Sequence, residues 1–283
     1  MEIISYKSIL HSRLQALKQQ TKTIGFVPTM GALHKGHLSL VEKASAETEV
    51  VVVSIFINPT QFNNPDDLKK YPRDLQKDVE MLEKKPCSII FAPSVEEIYP
   101  EPDTRTFDFG ELDKVMEGKF RLGHFNGVAQ VVSKLFDIVK PDKAFFGEKD
   151  FQQLAIIREL TKRYYSNIEI VACPIIREED GLAMSSRNKL LSQYIRKKSA
   201  KISQTLFESI IFANSNDVNQ TKKFVVDRIN AVDWLRVEYF EIVDGYTLQS
   251  VNKWSECDYL VGCIAVYADD VRLIDNVVYK NNI

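Results

Sequence analysis

The chain of 283 residues is 45% hydrophobic and 27% charged, with 37 basic residues set against 39 acidic ones. Such a length builds its core without disulfide or metal support, in one large domain or two ordinary ones, and a charge so close to balance argues against the broad basic field of a nucleic-acid binder. No segment approaches the roughly 20 apolar residues of a membrane helix, and the N-terminal stretch MEIISYKSILHSRL lacks an apolar run of signal-peptide length, so a cytoplasmic protein with no membrane partner is expected.

From the start to about residue 175, short β-branched apolar runs alternate with amphipathic stretches, the pattern of βαβ units around a parallel sheet. Strands are predicted at 23–29, 49–57, 88–93, 143–147 and 168–173. The second, EVVVVSIFI, is apolar without alternation and belongs in mid-sheet. RDLQKDVEMLEKK, GVAQVVSKLFDIVK and DFQQLAIIRELTKRYY repeat apolar residues with helical spacing, as helices covering that sheet do. Residues 100–125 break the rhythm with Pro, Gly and charge and read as an insertion of loop and short strand over the sheet edge. Beyond about 188, two helical stretches near 192–213 and 218–231 precede three alternating runs, LRVEYFEIVD, DYLVGCIAVYA and VRLIDNVVYK. The expected division is therefore α/β, with a Rossmann-like parallel-sheet domain over 1–187 and a smaller α+β domain over 188–283. Cys87, Cys173, Cys257 and Cys263 stand singly in apolar surroundings without a C-x-x-C pair, and read as buried free thiols.

Four strand ends carry chemistry. In PTMGALHKGHLSL the strand ends at Pro28-Thr29, Gly31 permits a tight turn, and a helix begins near Gly36 with His34 and His37 three apart. Amides and dipole at a helix start favour an anion, to which imidazoles add compact donors; the spacing suits a nucleotide triphosphate better than zinc, for which H-x-x-H is not the usual pattern. NPTQF puts Gln61 beyond the next strand, where an open α/β sheet keeps its ligands, and Gln can donate to and accept from a hydroxy acid. Asp74 and Asp78, four apart on the following helix, are either a solvated face or contacts for a phosphate-bound Mg2+. FGEKDFQQL repeats the geometry: Gly147 ends a strand, Lys149 stands where a phosphate sits, Asp150 can cap the helix, and Gln153 lies one turn in. Finally, in REEDGLAMSSRN, Ser185 and Ser186 can wrap a phosphate and Arg187 can chelate two of its oxygens.

The H-x-G-H motif after the first strand and the M-S-S-R-N loop resemble the two signatures of the nucleotidyl-transferase superfamily, which includes the class I aminoacyl-tRNA synthetases. PTMGALHKGHLSL, NPTQF, YPRD, GHFNGV, FGEKDFQQL and MSSRN, in that order over roughly residues 26–190, resemble the pantothenate synthetase family more specifically. Leu122 and Lys77 stand where relatives often have Pro and a second acid. The resemblance implies a cytoplasmic, homodimeric ligase that condenses (R)-pantoate with β-alanine through pantoyl adenylate, consuming ATP and releasing AMP and pyrophosphate, with Mg2+ on the phosphates. It places ATP against Met30, Gly31, Ala32, Leu33, His34, Lys35, Gly36 and His37, against Gly147, Glu148, Lys149 and Asp150, and against Ile176, Met184, Ser185, Ser186 and Arg187. Catalysis would fall to His34, His37, Lys149 and Arg187, pantoate to Gln61 and Gln153, β-alanine to Gln61, and the metal contact to Asp78. The smaller domain would act as a lid hinged near EEDGLAMSSRN. Two other readings use the same signatures: transfer of a nucleotide to another small substrate, and a synthetase-like RNA-binding module, which the charge balance disfavours.

Overall fold

In the computed structural model, which describes residues 1–62, 68–69 and 71–282, the run VVVVSI is strand β3 and five of its six residues are buried. Burial on both faces is what a run without alternation demands. The strand belongs to the first of two compact units, formed by Met1–Phe109, Arg121–Glu148 and Gln153–Pro174; the second comprises Gly110–Phe120, Lys149–Gln152 and Ile175–Ile283.

The first unit carries one parallel sheet of β1 (Glu2–Ile4), β2 (Ile24–Thr29), β3 (Val50–Ile55), β4 (Ile89–Phe91), β5 (Lys143–Gly147) and β6 (Glu169–Cys173), in the order β1-β4-β3-β2-β5-β6. Around it run α1 (Lys7–Gln19), α2 (Lys35–Glu47), α3 (Leu75–Leu82), α4 (His124–Val139) and α5 (Phe151–Tyr164). Phe26, Phe91, Phe136 and Phe145 are fully buried, and Leu40, Val41 and Ala44 of α2 pack with Val27, Val51 and Val53 of the central strands. Each buried Phe, Leu or Val among them contributes on the order of 1.5–3 kcal/mol of transfer free energy. β2 and β3 pair in register from Ile24↔Val50 to Thr29↔Ile55, so both end at the same edge. With β3 on one side of β2 and β5 on the other, the strand order reverses between β2 and β5, which is where an open sheet leaves a crevice.

Two local expectations change. The three-residue β1, paired with β4, and helix α1 complete the N-terminus; a strand so short has no periodicity to detect. In the 100–125 insertion the described residues form no strand, but a short helix, Met116–Phe120. The alternating TFDF run there resembles a strand, yet the Phe107 amide donates to the Asn126 side chain at 2.9 Å, and the Phe107 and Phe109 rings stack with centroids 6.2 Å apart. Its backbone is satisfied by a side chain instead of a ladder.

The second unit is α+β. Helices α6 (Gln193–Ala213) and α7 (Val218–Asn230) cover the antiparallel sheet β7-β8-β9, formed by Leu235–Asp244, Tyr259–Ala268 and Val271–Asn281. Its core joins Ile202, Leu206, Val225 and Ile229 to Phe240, Ile264 and Val266. Cys87, Cys173 and Cys263 are buried free thiols and Cys257 is a half-buried one; burial pushes the first two up to about 11, which suits packing better than nucleophilic chemistry. Among the described residues no helix is long and apolar enough to cross a membrane.

Candidate active site

The chain leaves β2 through a turn that its own sequence makes tight. Gly31 has φ +78° and Ala32 φ +51°, two successive left-handed residues. The Thr29 hydroxyl donates to the Ser54 carbonyl at 2.7 Å and accepts from the Gly31 amide at 3.2 Å. Asp78, 3% exposed, closes the turn from α3: its Oδ2 accepts the Ala32 amide at 2.9 Å and its Oδ1 the Leu33 amide at 2.7 Å. A buried carboxylate is costly unless such donors meet it. Both oxygens of the proposed metal contact thus serve the turn, while Asp74 caps α3 by accepting from the Lys77 amide. Among the described residues, no three His, Cys, Asp or Glu side chains gather as a metal site.

The turn delivers His34 as the N-cap of α2. Its Nδ1 accepts the Gly36 amide at 3.1 Å, so the proton of the neutral ring lies on Nε2. His37, one turn on, places its ring centroid 4.0 Å from that of His34. Two half-buried imidazoles therefore stand together at a helix N-terminus, beside the reversal in strand order. The arrangement offers ring N–H donors, amides and a positive dipole end to an anion.

Beyond β3, Asn58 is 1% exposed and organises the next loop. Its Oδ1 accepts from the Thr60 amide, the Thr60 hydroxyl and the Tyr99 hydroxyl, and its Nδ2 donates to the Gly127 carbonyl at 3.1 Å. The 3-10 turn Pro59–Gln61 follows, with Gln61 only 9% exposed. The Gln61 carbonyl accepts from His124 Nδ1 at 2.9 Å, while Arg121 donates to His124 Nε2 at 3.1 Å. A guanidinium only donates, so His124 is the Nδ1-protonated tautomer. Asn58, Arg121 and His124 were not singled out as site residues from the sequence; the only signal was the position of Asn58 and His124 inside the NPTQF and GHFNGV motifs. Gly147 ends β5 at the same sheet edge, Glu148 opens the turn that follows, and Gln153 lies half-buried in the first turn of α5. A cavity of about 470 Å³ in this unit touches Met30, Gly31, Ala32 and Asp78, but not His34, His37 or Gln61. The polar constellation, not that void, marks the candidate site.

The remaining candidates belong to the second unit. Glu148–Asp150 is a single 3-10 turn, so Asp150 lies inside that turn, with its carboxylate 3.8 Å from Lys149 Nζ. Ile176 and Met184 face each other across a hairpin in which the Met184 amide donates to the Ile176 carbonyl at 2.9 Å and Arg177 bridges Ala183. Ser185 then caps the 3-10 turn Ser186–Leu190 by accepting from the Arg187 amide at 3.2 Å, and Asn188 Nδ2 returns to the Ala183 carbonyl at 3.1 Å. Ser185, Ser186 and Arg187 are thus presented on a short turn with its own cap, where the sequence suggested a linker or a phosphate loop.

Known proteins resemble this chain over nearly its whole length. The family model described as pantoate-beta-alanine ligase matches residues 2–278. A pantothenate synthetase of Phocaeicola vulgatus is 61% identical over 281 residues, covering 99% of this chain and all of that protein; one of Bacteroides fragilis is 59% identical over 282 residues, with both chains covered in full. Among solved structures, a pantothenate synthetase of Thermus thermophilus superposes with a TM-score of 0.93 at 40% identity, covering 99% of this chain and 100% of that one. A Francisella tularensis pantoate-beta-alanine ligase complexed with beta-gamma ATP and beta-alanine gives a TM-score of 0.82 at 38% identity, covering 99% and 98%.

Proposed function

The chain belongs to the pantoate-beta-alanine ligase family, and from that premise we propose how its residues divide the work of an ATP-dependent ligase that joins (R)-pantoate to β-alanine. In the first step a pantoate carboxylate oxygen attacks the α-phosphorus of ATP and pyrophosphate leaves. In the second, the β-alanine amine attacks the acyl carbon of the mixed anhydride, loses a proton, and AMP departs with the carboxylate oxygen.

Two anions must meet in the first step, so positioning and charge neutralisation carry most of the acceleration. The observation that carries the reading is the His34–His37 pair, with ring centroids 4.0 Å apart at the start of α2. We assign both rings to the phosphates, His37 chiefly to the departing pyrophosphate. Met30–Leu33, Lys35 and Gly36, with Gly147, Glu148 and Asp150, give the nucleotide a backbone to lie on. Lys149 and Ser185–Arg187 supply further phosphate donors, and Ile176 and Met184 flank the base. Gln61 and Gln153 hold pantoate through its hydroxyls, and Gln61 also meets β-alanine. Mg2+ enters on the ATP phosphates as part of the substrate. Because both its oxygens already serve the turn, Asp78 acts in this scheme by holding that turn. The working form is a cytoplasmic homodimer; light scattering of the purified protein checks the dimer, and fractionation of cells its location.

The test supplies ATP, pantoate, β-alanine and magnesium and omits each in turn. Pyrophosphate release should require pantoate, and AMP with pantothenate should require β-alanine as well. His37→Ala should keep its fold and lose pantoate-dependent pyrophosphate release by about two orders of magnitude or more, as loss of an electrostatic donor does; full activity in that variant refutes the assignment.

A further inference from the structure

Asp275 and Asn276 are consecutive residues of β9, 3% and 5% exposed, and the assignments above give them no part. Arg177 forks onto the Asp275 carboxylate, Nη1 to Oδ2 at 2.7 Å and Nη2 to Oδ1 at 3.0 Å. The same guanidinium donates to the Gly181 carbonyl at 3.1 Å and to the Asn276 carbonyl at 3.3 Å. One side chain thus closes the Ile176–Met184 hairpin and clamps it to β9. A planar fork with several fixed donors does this where an ammonium could not. Burial pushes the Asp275 carboxyl up while Arg177 pulls the other way, as expected for an acid enclosed with its partner. The neighbouring Asn276 faces a second segment: its Nδ2 donates to the Lys149 carbonyl at 3.1 Å.

Two stretches far apart in sequence, the turn at Lys149 and the hairpin that leads into Ser185–Arg187, are therefore fastened to adjacent residues of one strand. Every contact in this chain of bonds lies within the second unit. We propose that Asp275 and Asn276 are positioning residues for adenylate formation, holding the Lys149 backbone and the Ile176–Arg187 loop as one rigid wall. The proposal rests on the assignment of Lys149 and Ser185–Arg187 to the ATP phosphates. Its physical content is that Lys149 Nζ extends from a main chain fixed by Asn276, and a misplacement of about 1 Å at such a group costs up to ~100-fold in rate.

Asn276→Ala removes the tether to Lys149 and leaves the pairing of β9 with β8 through backbone groups. In steady-state assays of pantoate-dependent pyrophosphate release, kcat/KM for ATP should fall about tenfold, with the KM for pantoate unchanged. Placed in a Lys149→Ala background, the same substitution should cause no further loss, because the side chain it positions is gone. Arg177→Lys, which keeps the charge but loses the fork, should show the same loss on the ATP side. Where Asn276→Ala fails to fold, Asn276→Ser, polar but too short to reach the carbonyl, carries the same comparison. Wild-type ATP parameters in Asn276→Ala alongside a slowed Lys149→Ala overturn the inference alone, as does a full additional loss in the double variant. Wild-type ATP parameters in Lys149→Ala overturn the phosphate assignment itself, and the inference with it.

Discussion

His34 has two roles that substitution can separate. Its Nδ1 caps α2 through the Gly36 amide, and its ring stands 4.0 Å from that of His37 for the proposed phosphate contact. His34→Ala removes both, and should lower stability by about 1 kcal/mol, the usual cost of a lost cap, and abolish adenylate formation. His34→Asn replaces the cap with one of the favoured capping residues but supplies no imidazole; its melting temperature should return to near the wild-type value while pyrophosphate release stays low. Recovery of activity in the Asn variant would reduce His34 to a cap. At this scale the H-x-G-H spacing made the two histidines legible in the sequence, because residues three apart at a helix start share a face. The tautomers were not, since each depends on a partner distant in sequence or on local turn geometry: His124 owes its Nδ1 proton to Arg121 on one side and the Gln61 carbonyl, 63 positions away, on the other.

Among the elements, the fit between α4 and the loop after β3 decides where Gln61 sits. A Cβ built on Gly127 would lie 2.3 Å from the Thr60 carbonyl oxygen, a backbone atom that cannot rotate away, and the Gly127 carbonyl also receives Asn58 Nδ2. Gly127→Ala must therefore push the Pro59–Gln61 turn off α4. We expect a loss of roughly 1–3 kcal/mol, as for overpacking elsewhere, and an increased KM for pantoate with the KM for ATP little changed. Equal weakening of both substrates would place the damage elsewhere than in the Gln61 loop. The elements themselves were largely legible: β2, β3, β4, β5 and β6 all fall on short apolar runs, and α4 and α5 repeat at helical spacing. β1 escaped because three residues hold no pattern, and the 100–125 stretch misled because its TFDF alternation is answered by Asn126, which no period reveals. A glycine needed for close approach looks the same in sequence as one needed for a turn.

At the scale of the whole molecule, the chain crosses between its two units more often than a reading in chain order suggests. Gly110–Phe120 lies between two stretches of the first unit in sequence but belongs to the second. The tie is a buried ionic network. Arg272 donates to both oxygens of Glu117 at 2.7 Å and to Glu238, while the Tyr239 hydroxyl donates to Glu117 at 2.8 Å. A bulge between Val237 and Tyr239 interrupts the β7 register there, and such an insertion lets consecutive residues address one site. Gln152 adds a clamp, accepting from the Glu117 amide and donating to the Leu112 and Val115 carbonyls. Burial opposes the charge on Arg272, yet Glu117 and Glu238 hold it above its usual range; burial and Glu117 together push the Tyr239 hydroxyl well up. Removing one partner leaves the others desolvated without compensation, so Glu117→Ala should destabilise by about 3–5 kcal/mol. Glu117→Gln, which keeps an acceptor for Tyr239 but not the charge, should fall between. Below the global transition, trypsin should cut Glu117→Ala after the exposed Lys114 and Lys119 well before it cuts the wild-type chain, because the segment between them loses its anchor. An unchanged melting temperature with unchanged cleavage would mean that Gln152 and the packing around Met116 hold the segment without the ion pair.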